Sequence, residues 1–281
     1  MKKIESIADM TAWAEEMRAA GRSIGLVSTM GALHAGKEAL LRAALAKADV
    51  VVVSIFVNPL QFGANELIAR YPRSLADDLR ICEAAGVHAV FVPLEEEMLP
   101  RGFSTFVTEE ILGKPLDGQA RTAHFRGVAT VIAKLFNLIR PRYAFFGQKT
   151  AQRAAVVRKV SADLGFGVEV VVVPTAREPD GLAAGVANRN FTDSQRQQAL
   201  AIHRALVRVQ EMVASGVRSP DRLVAEATHV LGEYRRVRVI YVAVADRRTM
   251  EPVREIVLGE TLLVIAAWVD EVRLIDNALL V

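Results

Sequence analysis

The stretch of sequence that decides the fold runs from Ile24 to Ala48 and reads IGLVSTMGALHAGKEALLRAALAKA. Its apolar beginning predicts a buried strand that ends at Val27, and the 3.6-residue apolar repeat over 37–48 predicts a helix. The small residues of 28–36 between them are typical of a tight turn. The stretch therefore predicts a strand, a turn and a helix, the unit from which parallel sheets are built.

The predicted turn has the composition of a ligand site. Gly31 and Gly36 allow backbone to come close to a ligand, and the N-terminus of the next helix offers free N–H groups and a positive dipole end. In an open parallel sheet this turn lies at the carboxyl edge of its strand, where ligands bind. His34 and Lys37 share one face of the first helical turn. A histidine at a helix start is also often a cap, so both interpretations of His34 stay open.

Composition sets the class of protein. The chain has 281 residues, of which 52% are hydrophobic, enough for two packed domains. Its 35 basic and 32 acidic side chains leave a net charge of only +3, with no basic tract, so we expect no nucleic-acid partner.

The sequence shows no targeting signal, and it has a single cysteine. The first ten residues, MKKIESIADM, lack the apolar core of a leader, and no apolar run reaches membrane-spanning length. We therefore expect a cytoplasmic protein without a membrane partner. The single cysteine, Cys82, excludes an internal disulfide and supplies no metal cluster, and its helical setting predicts a buried structural thiol.

Strands and helices alternate through the first two thirds of the chain. Helices are predicted at 6–19, 71–85, 127–140 and within GQKTAQRAAVVRKV after Phe146, and further strands at 49–56, 87–92, 143–146 and 168–174. The interval 102–125 is less regular and predicts loops, with an edge strand as one option. The alternation predicts an α/β fold with a Rossmann-like, doubly wound parallel sheet.

The rest of the chain predicts a smaller unit. Its pattern is two helices, 193–215 and 219–232, a strand, 236–245, and a hairpin formed by 260–269 and 272–275. We expect domains at 1–186 and 187–281, the second a small α+β domain.

A set of long motifs, in one order, resembles the pantothenate synthetase family of pantoate–β-alanine ligases. The motifs are TMGALHAG at 29–36, VVVSIFVNPLQFG at 51–63, NE at 65–66 followed by RYPR at 70–73, GFST at 102–105, HFRGVATVIAKLFNLIRP at 124–141, FGQK at 146–149, PTAREPDGLA at 174–183 and RLIDN at 273–277. The likeness covers nearly the whole chain.

The resemblance implies a nucleotidyltransferase-like fold, a homodimer and a two-step reaction. The carboxylate of pantoate attacks the α-phosphate of ATP, used with Mg²⁺, and releases pyrophosphate. The amine of β-alanine then displaces AMP from the acyl adenylate. Such chemistry needs cations and N–H donors around a triphosphate, and a drier pocket for the acid.

The resemblance also implies roles for residues at matching positions, and it names no metal ligand in this chain. A proton donor or phosphate contact is implied at Lys37, His34 and Lys149. The implied nucleotide-binding residues are Met30, Gly31, His34, Gly147, Lys149, Ala176 and Arg189. The implied residues for the acid are Asn58, Gln61, Arg121, His124 and Arg153.

Several positions depart from the family pattern. Lys37 replaces the family's proton-donor histidine, and with an ordinary pKa near 10 a lysine transfers protons poorly at neutral pH. Gln148 and Thr150 replace two acids, and a neutral hydroxyl is a poorer ligand for Mg²⁺. Arg153 replaces a glutamine that contacts pantoate.

The largest departure lies in the loop after the fifth predicted strand. Where the family has MSSRN, residues 184–188 read AGVAN, without the two hydroxyls and the guanidinium that close on the phosphates. Such donors contribute about 2 to 4 kcal/mol each to a transition state. Arg189, one position further on, is a candidate replacement.

Three functions fit this pattern. The first is an active pantoate–β-alanine ligase with a repaired site. The second is a ligase for a more anionic acid, since Lys37 and Arg153 add positive charge. The third is a catalytically silent protein that binds small molecules or pairs with an active subunit.

Overall fold

The computed structural model describes residues 1–63 and 68–281. The NE motif at 65–66 lies outside the described residues. None of the described helices is long and apolar enough to cross a membrane.

The first domain is built on a six-stranded parallel sheet. Its strands are β1 (Lys2–Ile4), β2 (Ile24–Thr29), β3 (Val50–Ile55), β4 (Ala89–Phe91), β5 (Tyr143–Gly147) and β6 (Glu169–Val173), in the spatial order β1-β4-β3-β2-β5-β6. Every residue of β2 and β3 is buried, as the unbroken apolar runs predict for strands covered on both faces. The predicted Rossmann-like sheet is confirmed.

Helices cover both faces of this sheet. They are α1 (Ile7–Ala19), α2 (Ala35–Lys47), α3 (Leu75–Ala85), α4 (Glu95–Met98), α5 (Asp117–Ala120), α6 (His124–Ile139) and α7 (Ala151–Asp163). One hydrophobic cluster joins the sheet to α1, α6 and α7, and another joins it to α2 and α3. The thiol of Cys82, on α3, is buried in the second cluster.

One edge strand and two helix starts differ from the sequence predictions. The edge strands of the sheet are β1 and β6, whereas residues 102–123 form loops and α5 and contribute no strand. The strand that differs from the predictions is β1. Its three residues include two exposed lysines, which suit a sheet edge but produce no apolar pattern. Helix α6 begins at His124, three residues before the predicted start, and α3 begins at Leu75 because Pro72 disfavours helix at Tyr71.

The second domain packs two helices on an antiparallel sheet. Its elements are α8 (Asp193–Ala214), α9 (Pro220–Gly232), β7 (Val237–Asp246), β8 (Thr261–Val269) and β9 (Val272–Leu280). Strand β9 is longer than the predicted hairpin arm, so Asp276 and Asn277 belong to it. The division at 186/187 stays a prediction.

Polar contacts join β7 and β9 to α5 and to the turn after β5. Arg273 Nη2 lies 2.7 Å from Asp117 Oδ1, and Tyr241 Oη donates to the same oxygen at 2.5 Å. Gln148 Nε2 donates to Asn277 Oδ1 at 2.8 Å. The second domain therefore closes one side of the space where ligands bind in such folds.

Candidate active site

The turn after β2 is held in a left-handed conformation by one buried carboxylate. Gly31 and Ala32 have φ of +87° and +53°. Asp78, on α3 and 1% exposed, accepts hydrogen bonds from the amides of Ala32 at 2.9 Å and Leu33 at 2.7 Å. A Cβ on Gly31 would lie 2.9 Å from Asp78 Oδ2, so the glycine is needed for the close approach.

Sequence reasoning missed Asp78. It lies in the first turn of a helix among other acidic residues, where a carboxylate is ordinarily a surface group near the positive dipole end. Its contact with the turn is created by packing α3 against the carboxyl end of β2. Only its helical spacing with the buried Cys82 indicated that it faces inward.

His34 is both a helix cap and a group that faces a cavity. Its Nδ1 accepts a hydrogen bond from the Gly36 amide at 3.2 Å, so the neutral ring carries its hydrogen on Nε2. Burial, followed by the charges of Lys37, Lys149 and Arg189, lowers the pKa of His34 to about 4. The side chain is therefore neutral at physiological pH, with an N–H to donate.

A cavity of about 380 Å³, here called the turn cavity, lies between the turn after β2 and the loop after β6. Met30, His34, Lys37, Gly147, Lys149 and Ala176 line it, together with residues 184–188. Lys149 Nζ donates to the carbonyls of Ala183 at 3.2 Å and Ala184 at 3.0 Å. Burial lowers the pKa of Lys149 from its usual value.

A second cavity of about 320 Å³, here called the inner cavity, adjoins the first. Gln61, Arg121, His124, Arg153 and Tyr241 are among its lining residues. Met30, Lys149, Thr150, Arg273 and Ile275 line both cavities. A group bound in one cavity can therefore meet a group bound in the other.

Gln61 and His124 line the inner cavity, and a hydrogen bond joins them. The carbonyl of Gln61 accepts from Arg121 Nη2 and lies 3.1 Å from His124 Nδ1, which must therefore carry a hydrogen. Burial, followed by the charge of Arg121, lowers the pKa of His124 to about 4. His124 Nε2 is thus an acceptor, and the buried Oε1 of Gln61 has no hydrogen-bond partner in the described structure.

Some predicted site residues lie just outside the cavities. Gly31, Asn58 and Arg189 are not among the described residues that line either one. The Gly31 amide donates to Thr29 Oγ1 at 3.1 Å. Asn58 is buried, donates to the Gly127 carbonyl at 2.9 Å and accepts from the Leu60 amide at 3.1 Å. Their contacts with ligands stay predictions.

Lys37 and Arg153 converge on Ser28 at the end of β2. Lys37 Nζ lies 3.5 Å from the Ser28 carbonyl, and Arg153 Nη2 donates to Ser28 Oγ at 3.3 Å. Burial, followed by the charge of Arg153, lowers the pKa of Lys37 to about 7. The expectation of an ordinary lysine pKa near 10 is wrong here, because the fold removes water from the amine and places a like charge beside it.

The guanidinium of Arg153 is buried, charged and only weakly stabilised by its neighbours. Its Nε makes no hydrogen bond in the described structure, and its guanidinium lies 5.7 Å from the centre of the Phe146 ring. Burial lowers its pKa to about 10, which leaves it charged at neutral pH. No ion pair joins it to a described carboxylate.

The loop at 184–190 folds against the turn after β2. Arg189 Nη2 donates to the Leu33 carbonyl, and Asn188 Nδ2 donates to Glu178 Oε1 at 2.6 Å and to the Ala183 carbonyl at 3.0 Å. Residues 184–187, Ala-Gly-Val-Ala, line the turn cavity without a polar side chain. Arg189 brings the loop's positive charge to the rim of that cavity.

Comparison with known proteins decides the family. The model of the family described as pantoate-beta-alanine ligase matches residues 2–279. The chain belongs to the pantoate–β-alanine ligase family. A pantothenate synthetase of Heliobacterium modesticaldum is 48% identical over 277 residues, covering 99% of this chain and 98% of that protein. One from Thermotoga neapolitana is 46% identical over the whole of both chains.

Solved structures of pantoate–β-alanine ligases have the same fold. A pantothenate synthetase from Thermus thermophilus matches with a TM-score of 0.94 and 39% identity, over 100% of this chain and 99% of that one. The enzyme of Francisella tularensis, complexed with β,γ ATP and β-alanine, matches with a TM-score of 0.81 and 27% identity, over 99% and 97%. The chain is therefore a ligase by family.

The side chains that line the two cavities do not fit the Mg²⁺ that the resemblance implies. The described lining of the turn cavity contains no aspartate or glutamate. The inner cavity has Asp117 and Asp276, but these are ion-paired with Arg273 and Arg177, each at 2.7 Å. Magnesium in nucleotide sites ordinarily takes one or two carboxylates besides phosphates. No group of three potential metal ligands occurs among the residues described.

Proposed function

We propose that this protein is an active ligase that uses ATP to join pantoate to β-alanine through an acyl adenylate. The observation that carries the proposal is the pair of adjoining cavities that share Met30, Lys149 and Thr150. The turn cavity would hold the nucleotide and the inner cavity the acid. A carboxylate at their junction would meet an α-phosphate directly, as adenylation requires.

The inner cavity suits a small hydroxy acid. His124 Nε2 and the unpaired Gln61 Oε1 are acceptors for hydroxyl groups, and Arg153 supplies a positive charge for a carboxylate. The apolar part of the lining excludes water from the reacting atoms. These features support pantoate, whereas nothing in the comparisons favours a more anionic acid.

The turn cavity supplies donors for phosphates. His34 offers its Nε2–H and Lys149 its ammonium, both beside the N-terminus of α2. Arg189, held at the Leu33 carbonyl, lies close enough to lower the pKa of His34 and takes the place of the family's loop arginine.

Lys37 acts as the proton donor. In adenylation a carboxylate oxygen bonds to the α-phosphorus, the bond to the bridging oxygen breaks, and the Lys37 ammonium gives its proton to the departing pyrophosphate. The neutral amine then accepts the proton that β-alanine loses as its nitrogen bonds to the acyl carbon and AMP leaves. A pKa of about 7 suits both transfers at neutral pH.

The proposal includes a homodimer in the cytoplasm, as the resemblance implies. Its support is the family match over residues 2–279.

The test is product formation by the purified protein. With ATP and pantoate we expect pyrophosphate release, and with β-alanine added we expect pantothenate by mass spectrometry. Lys149→Met should remove most of the activity, whereas Lys159→Met, an exposed lysine on α7 paired with Asp163, should leave it unchanged. The assay is run both with MgCl₂ and with EDTA.

Three results would contradict the proposal. Pyrophosphate release only with a phosphorylated or dicarboxylic acid would support the more anionic substrate. Nucleotide binding without release in any condition would support a silent binding protein. Absence of nucleotide binding at millimolar ATP would exclude both ligase functions.

A further inference from the structure

The turn cavity is lined by basic side chains, and none of its described lining residues is acidic. Lys37, Lys149 and Arg273 line it together with the neutral His34, and Arg189 lies at its rim, while its described lining contains no carboxylate. Two acidic groups whose charges act on the site are committed elsewhere: Glu178 binds Asn188 and Arg196, and Asp276 pairs with Arg177. The side chains that line this cavity therefore suit a bound anion and not a bound cation.

Thr150 stands at a position where the family resemblance implies an acidic residue. This residue is the N-cap of α7 and lines both cavities. Its hydroxyl donates to the Gly147 carbonyl at 3.2 Å. One neutral oxygen offers a hard cation far less than the carboxylates that ordinarily hold it beside phosphates.

The cations of the site also repel one another. Burial, followed by the charge of Arg153, lowers the pKa of Lys37, and burial, followed by the charges of Lys37, Lys149 and Arg189, lowers the pKa of His34. Crowding of like charges is relieved when a polyanion binds among them. A bound Mg²⁺ would cancel two of the charges of that polyanion and weaken this relief.

From the basic lining and the absence of a described carboxylate in it, we infer that the turn cavity binds ATP as the metal-free anion. Lys37, Lys149 and Arg189 neutralise the phosphates in place of a divalent cation held by the protein. The inference rests on the proposed function, because it takes ATP as the occupant of this cavity. The inference concerns nucleotide binding, so an ATP-binding measurement tests it without any need for catalysis.

The experiment is isothermal titration of the full chain with ATP, in EDTA and in excess MgCl₂ at equal ionic strength. We expect ATP to bind at least as tightly in EDTA as in MgCl₂. Thr150→Asp places a carboxylate at the N-terminus of α7 and should reverse this order, with MgCl₂ tightening ATP binding by about tenfold. Thr150→Asn is the matched control of similar shape without charge, and it should keep the order of the natural protein.

Binding in MgCl₂ that is tenfold or more tighter than in EDTA for the natural protein would overturn the inference and leave the proposed function standing. Absence of ATP binding in both solutions would overturn the inference and the proposed function together. Equal metal dependence in Thr150→Asp and Thr150→Asn, with both variants folded by circular dichroism, would show that position 150 does not set the preference and would also overturn it.

Discussion

Replacing Lys37 with methionine should stabilise the protein, and it should do so most strongly at low pH. Burial and Arg153 lower the pKa of Lys37 from 10.5 to about 7. Each unit of pKa corresponds to about 1.4 kcal/mol, so the folded state disfavours the protonated amine by roughly 5 kcal/mol. Because proteins relax around buried charges and admit water, we expect about 2 to 3 kcal/mol of this in the measured stability.

The sign of the pH dependence follows from proton counting. Between pH 7 and 10.5 the unfolded chain holds a proton on Lys37 that the folded protein has released, so the stability of the natural protein rises with pH across this window. Below pH 7 the amine is protonated in both states and the full penalty applies. Methionine keeps the apolar stem and has no proton to bind, so its advantage should fade toward pH 10.

Urea unfolding of both proteins at about pH 6 and about pH 9.5 measures this difference. Lys47→Met, an exposed lysine on the same helix whose partner Glu169 is also exposed, is the control and should change stability by less than about 1 kcal/mol at either pH. An equal gain for Lys37→Met at the two pH values, or a loss at pH 6, would refute the account of Lys37 as a buried amine that deprotonates near neutrality.

Three further predictions follow from single contacts. Asp78→Ala removes both acceptors that hold the turn after β2 and should cost about 3 kcal/mol in urea unfolding; an unchanged midpoint would contradict this. Arg153→Gln should move the alkaline limb of the pH profile of kcat/KM upward, because one like charge near Lys37 disappears; an unshifted limb would exclude that coupling. Gly127→Ala places a Cβ 2.3 Å from the Leu60 carbonyl oxygen and should lower Tm by several degrees, measured by calorimetry.

The sheet and its helices were predictable because their signals are local. The apolar runs of β2 and β3 and the helical repeats of α6 and α8 depend only on neighbouring residues. Strand β1 was not predictable in this way, since it has three residues and its place comes from pairing with β4. The extension of β9 likewise depends on its partner β8.

Most of the residues that the resemblance implies line one of the two cavities, whereas Gly31, Asn58 and Arg189 do not, and the roles of all of them stay predictions. The pKa of Lys37 depends on burial and on Arg153, which is remote in sequence, so no local pattern displays it. Asp78 was missed for a related reason, because its partners are backbone amides that any sequence possesses. Long-range packing decides these properties, and composition or spacing does not display them.

The position of β9 has a consequence for how the molecule is made. Its residues Arg273 and Ile275 line both cavities, yet they follow every other element in chain order. Domains generally fold as the ribosome releases them, from the N-terminus onward. A nascent chain would therefore have its parallel sheet assembled before β9 closed the turn cavity and the inner cavity. Small molecules that occupy the finished cavities would then act late in biogenesis, by locking the final strand in place.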